Sequence, residues 1–82
     1  MSDQDPHPLP ALPVTPAGRY RHYKGGHYQV HGVARHSETL EALVVYAPLY
    51  NSSGLWVRPH AMFFGTLEVD GQTVQRFVRI GD

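Results

Sequence analysis

The side chains that invite a chemical reading first are the six histidines. His27 and His31 lie four residues apart, a spacing that on a helix would turn two imidazoles toward one metal ion. On a strand rising about 3.3 Å per residue the same pair stands about 13 Å apart, too far to share a zinc. His22, His36 and His60 make a site only if the fold gathers them, and their spacing does not demand it. The chain has no cysteine, which removes disulfides, thiolate zinc sites and a thiol nucleophile. His36-Ser37-Glu38 contains the residue types of a nucleophile, a base and an orienting acid. Adjacent residues on one turn rarely reach the geometry that these roles need. Glu38 and Glu41 sit in a polar stretch with nothing to desolvate either one, so neither is poised as a general acid. Catalysis is the weaker class, and neither a metal nor a cofactor is expected. Two alternatives stand beside a binding module: a small metal-dependent hydrolase using His22, His36 and Glu38, and a structural protein-interaction domain that self-associates or docks on a partner through an uncovered edge strand or aromatic patch.

The aromatic side chains are more informative. Tyr20, Tyr23, Tyr28, Tyr46, Tyr50, Trp56, Phe63, Phe64 and Phe77 all follow Gly18. Some must fill the interior, because a domain this small needs large side chains to build a core. Tyr46, Tyr50 and Trp56 flank one turn, and Arg58 follows two residues after the tryptophan. Exposed rings beside an arginine can stack a base, hold a cation or grip a peptide. The opposing reading has Trp56 simply plugging one end of the core. Arg35-His36-Ser37-Glu38-Thr39 offers donors and acceptors of every kind, either as a recognition loop or as the solvated tip of a hairpin. The candidate binding set is therefore Arg35, His36, Ser37, Glu38, Thr39, Tyr46, Tyr50, Trp56 and Arg58. Placed side by side, loop and rings would form a shallow polar-aromatic groove. Arg19, Arg21, Lys24 and Arg35, interleaved with Tyr20 and Tyr23, add a single-stranded nucleic acid to the candidate ligands.

These residues must be positioned by short strands. Arg19–Tyr23 and His27–Arg35 are separated by Lys24-Gly25-Gly26, which reads as a tight hairpin connection. Gly32 interrupts the alternation of the second run and marks a bulge or sharp bend. Leu43-Val44-Val45-Tyr46 is apolar on both faces, as expected of a strand inside a sheet, and Pro48 stops its ladder. Strand parity suggests Tyr28, Val30, Ala34, Leu43 and Val45 facing inward, with Val44 and Tyr46 on the opposite face. Leu55–Arg58 is a further short strand, and His60–Phe64 one turn of 3₁₀ helix after Pro59. Asp70-Gly71 between Thr66–Val69 and Gln72–Phe77 is a strong hairpin signal.

Composition bounds what such a domain can be. Five of the seven prolines fall in Met1–Ala17, where fixed φ and missing donors oppose helix and sheet alike. Two P-x-x-P spacings there, Pro10 to Pro13 and Pro13 to Pro16, fit either a proline-rich ligand or a plain spacer. The 82-residue chain is formally neutral, but residues from Gly18 onward hold seven basic and five acidic groups, a net +2. That is far too little for a dedicated duplex-DNA binder. No apolar run reaches the roughly 20 residues of a membrane span, and the N-terminus lacks the pattern of a secretory signal. A cytoplasmic protein without membrane association is expected, as a monomer or weak dimer.

The residues also resemble a known family. Tyr20-Arg21-His22-Tyr23-Lys24-Gly25-Gly26, then Tyr28-Gln29-Val30 and Gly32-Val33-Ala34-Arg35-His36-Ser37-Glu38-Thr39, are similar to the domain of unknown function 1653 family. The likeness continues through Leu43-Val44-Val45-Tyr46, Leu49-Tyr50, Gly54-Leu55-Trp56-Val57-Arg58-Pro59, Met62-Phe63, Val69-Asp70-Gly71 and Arg76-Phe77. His60, Gly65, Gln75 and Ala47-Pro48 depart from the family's usual wording. The resemblance implies a mainly bacterial domain with a small SH3-like β-barrel and brings no activity with it. The expectation is thus an all-β fold: an SH3-like barrel of five or six short strands over residues 18–82. It has at most one 3₁₀ turn and sits behind a disordered Pro-rich tail at 1–17. The function expected of it is a non-catalytic binding module for a protein or peptide partner, a modified side chain or single-stranded nucleic acid.

Overall fold

The computed structural model describes residues 9–82. Seven strands and one helical turn follow in order: β1 Gly18–His22, β2 His27–Arg35, β3 Ala42–Pro48, β4 Trp56–Pro59, α1 His60–Phe63, β5 Thr66–Val69, β6 Gln72–Gln75 and β7 Phe77–Gly81. The fold is all-β, as expected. Five strands form one antiparallel sheet in the order β4-β3-β2-β1-β7, and β5-β6 is a separate hairpin.

Two expectations need correction. The strands number seven, and the sheet does not close into a barrel. β4 is only four residues long and ends at Pro59, which has no N–H to extend a ladder toward β7. The connection between the two edges instead supplies α1, whose Phe63 is fully buried and stacks on Phe77 at 4.0 Å. A ring on a helical turn fills the space that a closing strand would have covered. That turn is α-helical rather than 3₁₀, since the N–H of Phe64 donates to the carbonyl of His60 at 3.0 Å.

The facing of β3 also differs from strand parity. Val44 and Tyr46 are buried with Tyr28 and Val30, while Leu43, Val45 and Ala34 are only half-buried. The cause is the register. Val30 lies opposite Tyr46, then the ladder slips so that Gly32 faces Val45 and Val33 faces Val44. Directly paired residues share a face, so one extra residue, His31, reverses the inward set from Val33 onward. Gly32, at φ 154°, accommodates this bulge where sequence placed it. Asp70 (φ 52°) and Gly71 (φ 79°) are both left-handed, as a two-residue Asp-Gly hairpin requires.

The core consists of Tyr20, Tyr28, Val30, Val44, Tyr46, Phe63 and Phe77, with Trp56 packed against it. With so few aliphatic side chains, edge-to-face rings carry the packing, Tyr46 lying 5.2 Å from Phe63 and 5.5 Å from Tyr28. Each buried phenol finds a partner at the rim. Tyr20 donates to the Pro16 carbonyl at 2.8 Å, Tyr28 meets the Tyr50 hydroxyl at 2.9 Å, and Tyr46 accepts from Arg58 Nε at 3.2 Å. Among the described residues no buried side-chain polar atom lacks a partner.

Leu9–Ala17 forms neither helix nor strand, in keeping with its prolines, and runs along the body. The first eight residues of the expected tail lie outside the described residues. Among the described residues no helix is long and apolar enough to cross a membrane.

Candidate functional site

The sequence-selected residues separate into three places. Tyr46 is a core residue, 2% exposed, and Trp56 is half-buried with its ring 6.0 Å from both Tyr28 and Tyr46. Arg58 is half-buried as well, its guanidinium 5.6 Å from the centre of the Phe77 ring while Nε reaches Tyr46. These three brace the interior. Tyr50 alone of the cluster is open, at 58% exposure.

Arg35–Thr39 begins the β2–β3 turn, at the far end of the ladder. Leu49 N–H pairs with the His27 carbonyl at the opposite end, and His27 to Arg35 spans roughly 25 Å of extended strand. Turn and Tyr50 ring therefore do not share a groove. The side chains of His36 and Thr39 are spent on the turn itself. His36 Nδ1 accepts from the backbone N–H groups of Glu38 (3.0 Å) and Thr39 (3.2 Å), and Thr39 Oγ1 reaches Glu41. His22 sits at the Tyr50 end, so His22, His36 and Glu38 do not converge. Among the described residues no three His, Asp or Glu side chains gather as metal ligands.

A different set does come together around Tyr50. A groove of about 480 Å³ is lined by Arg19, Gly25, Gly26, His27, Leu49 and Tyr50. β1 alternates, placing Tyr20 in the core and Arg19 and Arg21 on the outer face, and the register sets His27 opposite Arg21 and Gln29 opposite Arg19. The turn between β1 and β2 is tight, Gly25 N–H donating to the His22 carbonyl and His22 N–H to the Gly26 carbonyl, both at 2.7 Å. Gly26 forms the floor. A Cβ there would lie 3.3 Å from Tyr28 Cε1 and 3.4 Å from Tyr50 Cε2, so a side chain would push against the ring that forms the wall. The alternation Arg19-Tyr20-Arg21 is a signal of this face in the sequence; the participation of Leu49 and Gly26 is not.

The cations divide in the same way. Arg35 donates to the carbonyls of Leu40 and Pro10, Arg58 to Tyr46, Arg76 to the carbonyl of Met62, and Arg79 pairs with Asp82 at 2.9 Å. Among the described residues Arg19 and Arg21 have no side-chain partner, and the Lys24 ammonium only overlies the Tyr23 ring at 5.8 Å. The groove lining contains no carboxylate. Burial, reinforced by the hydrogen bond shared with Tyr50, pushes the Tyr28 phenol up to about 12.

His22 completes this end. It lies opposite Phe77, with the two rings 4.8 Å apart, and its Nδ1 accepts the Lys24 N–H at 3.2 Å. Burial first, then the charges of Arg58, Arg76 and Lys24, hold its pKa below 6.5. The unfolded chain therefore binds a proton that the folded one resists. Stability is full above about 6.5 and falls as pH drops through the folded value. Thermal unfolding at pH 7.5 and 5.5 should show a lower midpoint in acid, and His22→Phe should flatten that difference. An undiminished slope in the variant would refute the assignment.

Comparison with known proteins agrees with the fold and supplies no activity. The family model described as "Protein of unknown function (DUF1653)" matches residues 18–79. No curated protein matches. A crystal structure of a DUF1653 protein from Bordetella bronchiseptica is similar, with a TM-score of 0.75 and 38% identity over 82% of this chain and 88% of that one. From the aromatic core to the Asp70-Gly71 hairpin, nearly all of the folded body lies inside the matched span, and the chain belongs to the DUF1653 family.

Proposed function

We propose that the domain is a non-catalytic binding module for single-stranded nucleic acid, using the outer face of β1 and the groove beside Tyr50. Bases stack on the Tyr50 ring, and phosphates lie against Arg19, Arg21 and Lys24. One observation carries this reading: among the described residues, the cations without an internal partner, Arg19, Arg21 and Lys24, lie on β1 and the turn after it, at the end of the sheet where Tyr50 is open. Stacking tolerates any base and the cations read only phosphate, so weak sequence preference is expected. Single-stranded RNA in a bacterial cytoplasm is the ligand source this reading assumes.

Three phosphate contacts set the salt dependence. For single strands log K falls by about 0.7 per contact per unit of log salt, a slope near −2. Fluorescence anisotropy of a labelled ten-nucleotide oligouridylate, from 50 to 300 mM salt, should give weak binding with that slope. Binding independent of salt, or none at low salt, would overturn the reading.

A further inference from the structure

We infer that the domain carries a second binding site, reaching from β1 and β7 to the β2–β3 turn, for an extended proline-rich peptide, and that the chain's own Pro10–Ala17 occupies it. The sequence offered this segment as ligand or spacer, and the contacts favour the first. Three side chains of the body donate to three of its carbonyls: Arg35 to Pro10 at 2.7 Å, Tyr20 to Pro16 at 2.8 Å and Arg79 to Ala17 at 3.1 Å. Carbonyls are the groups a proline-rich chain can still offer, because proline has lost its N–H. Among the described residues no backbone N–H of the segment donates to the body, so it adds no strand to the sheet.

The three donors are held in place independently of the segment. Tyr20 is a core ring, Arg79 is braced by Asp82, and Arg35 also bonds the Leu40 carbonyl at 3.1 Å. A receptor surface needs donors of this kind, fixed before the ligand arrives. Between the first and second anchors Pro13 forms one wall of a groove of about 280 Å³, the other walls being Glu41, Ala42, Pro59, His60 and Ala61. Leu12 and Thr15, three residues apart, are half-buried, while Val14 between them is 94% exposed. Pro13 is half-buried too, so one side of the segment lies against the body while the other faces solvent.

The contacts are few and shallow, so the segment stays seated mainly because it is tethered. A short tether supplies an effective concentration in the millimolar range. A free peptide therefore competes poorly until the tethered one is weakened. Pro13→Asp weakens it selectively: the ring that packs along the groove is lost, and a carboxylate is placed beside Glu41 in the same lining. None of the residues that form the site is altered.

The test uses ¹⁵N-labelled full-length chains and a synthetic peptide with the sequence of residues 9–17. In the wild type, the amides of Ala11, Leu12, Val14, Thr15 and Ala17 should show heteronuclear NOE values close to those of the strands. In Pro13→Asp those values should fall, and the amides of Ala42, His60 and Ala61 should shift. The peptide should then shift the same three amides saturably at a concentration at least tenfold lower than in the wild type. Adding Arg35→Ala to Pro13→Asp should weaken the peptide at least fivefold. Coil-like NOE values for the segment in the wild type would overturn the proposal. So would a peptide that leaves those amides unmoved in Pro13→Asp, or that shifts only the groove at Arg19 and Tyr50. These outcomes do not depend on whether the β1 face binds nucleic acid.

Discussion

Phe63→Ala is expected to destabilise the domain by about 3–5 kcal/mol, the range for truncating a buried phenylalanine. Phe63 is 0% exposed and packs against three core rings: face to face on Phe77 at 4.0 Å, edge-on to Tyr46 at 5.2 Å and to Tyr20 at 5.6 Å. It is also the residue by which α1 covers the part of the core that no strand closes. A body of roughly 65 residues has on the order of 3–10 kcal/mol of total stability, so this one truncation removes a large share of it. The midpoint of thermal unfolding should drop by more than about 12 °C, at some 4–8 °C per kcal/mol for a domain this size. Phe64→Ala is the control. Its ring is next in sequence but 37% exposed, and its loss should cost about 1 kcal/mol. Urea unfolding of both variants measures the difference. Equal costs would mean that the stacked pair Phe63 and Phe77 does not hold the open side of the sheet together.

The second large effect concerns ligand binding. Base-on-ring stacking contributes about 1–3 kcal/mol, so Tyr50→Ala should weaken the oligouridylate about 5- to 150-fold. Tyr50→Phe should remain near the wild type, since it keeps the stacking face and removes only the hydroxyl that meets Tyr28 at 2.9 Å. Arg19→Ala with Arg21→Ala removes two phosphate contacts and should reduce the salt slope by about 1.4. Gly26→Val should act through the wall of the groove, because its methyl groups extend from a Cβ that would already lie 3.3 Å from the Tyr28 ring and 3.4 Å from the Tyr50 ring. All four are surface or turn positions whose fold is checked by circular dichroism. A Tyr50→Ala protein that binds as tightly as the wild type would remove the groove from consideration.

Local features were legible without coordinates. Asp70-Gly71 makes a two-residue turn wherever two strands flank it, because both positions need left-handed φ. Gly32 announced the bulge, and Pro10, Pro13 and Pro16 excluded helix and sheet over Leu9–Ala17. The direction of β3 was not legible. Leu43-Val44-Val45-Tyr46 is apolar on both faces, so no pattern within it says which face meets the core; that depends on the pairing with β2 across the bulge at His31. The candidate site divided for a related reason. Tyr46, Trp56 and Tyr50 are close in sequence and alike in chemistry, yet the ladder takes Tyr46 inside, leaves Trp56 half in, and releases Tyr50 after Pro48 ends β3.

Residue types and their spacing thus determined the class of fold, the turns and the absence of cysteine chemistry, because those follow from backbone preferences that each residue carries with it. Which rings became core, which cations were consumed inside, and what the proline-rich segment touches were decided only by tertiary structure. Each depends on pairings between residues far apart in the chain, such as Arg35 with Pro10 and Arg79 with Ala17, and no local preference encodes such a meeting.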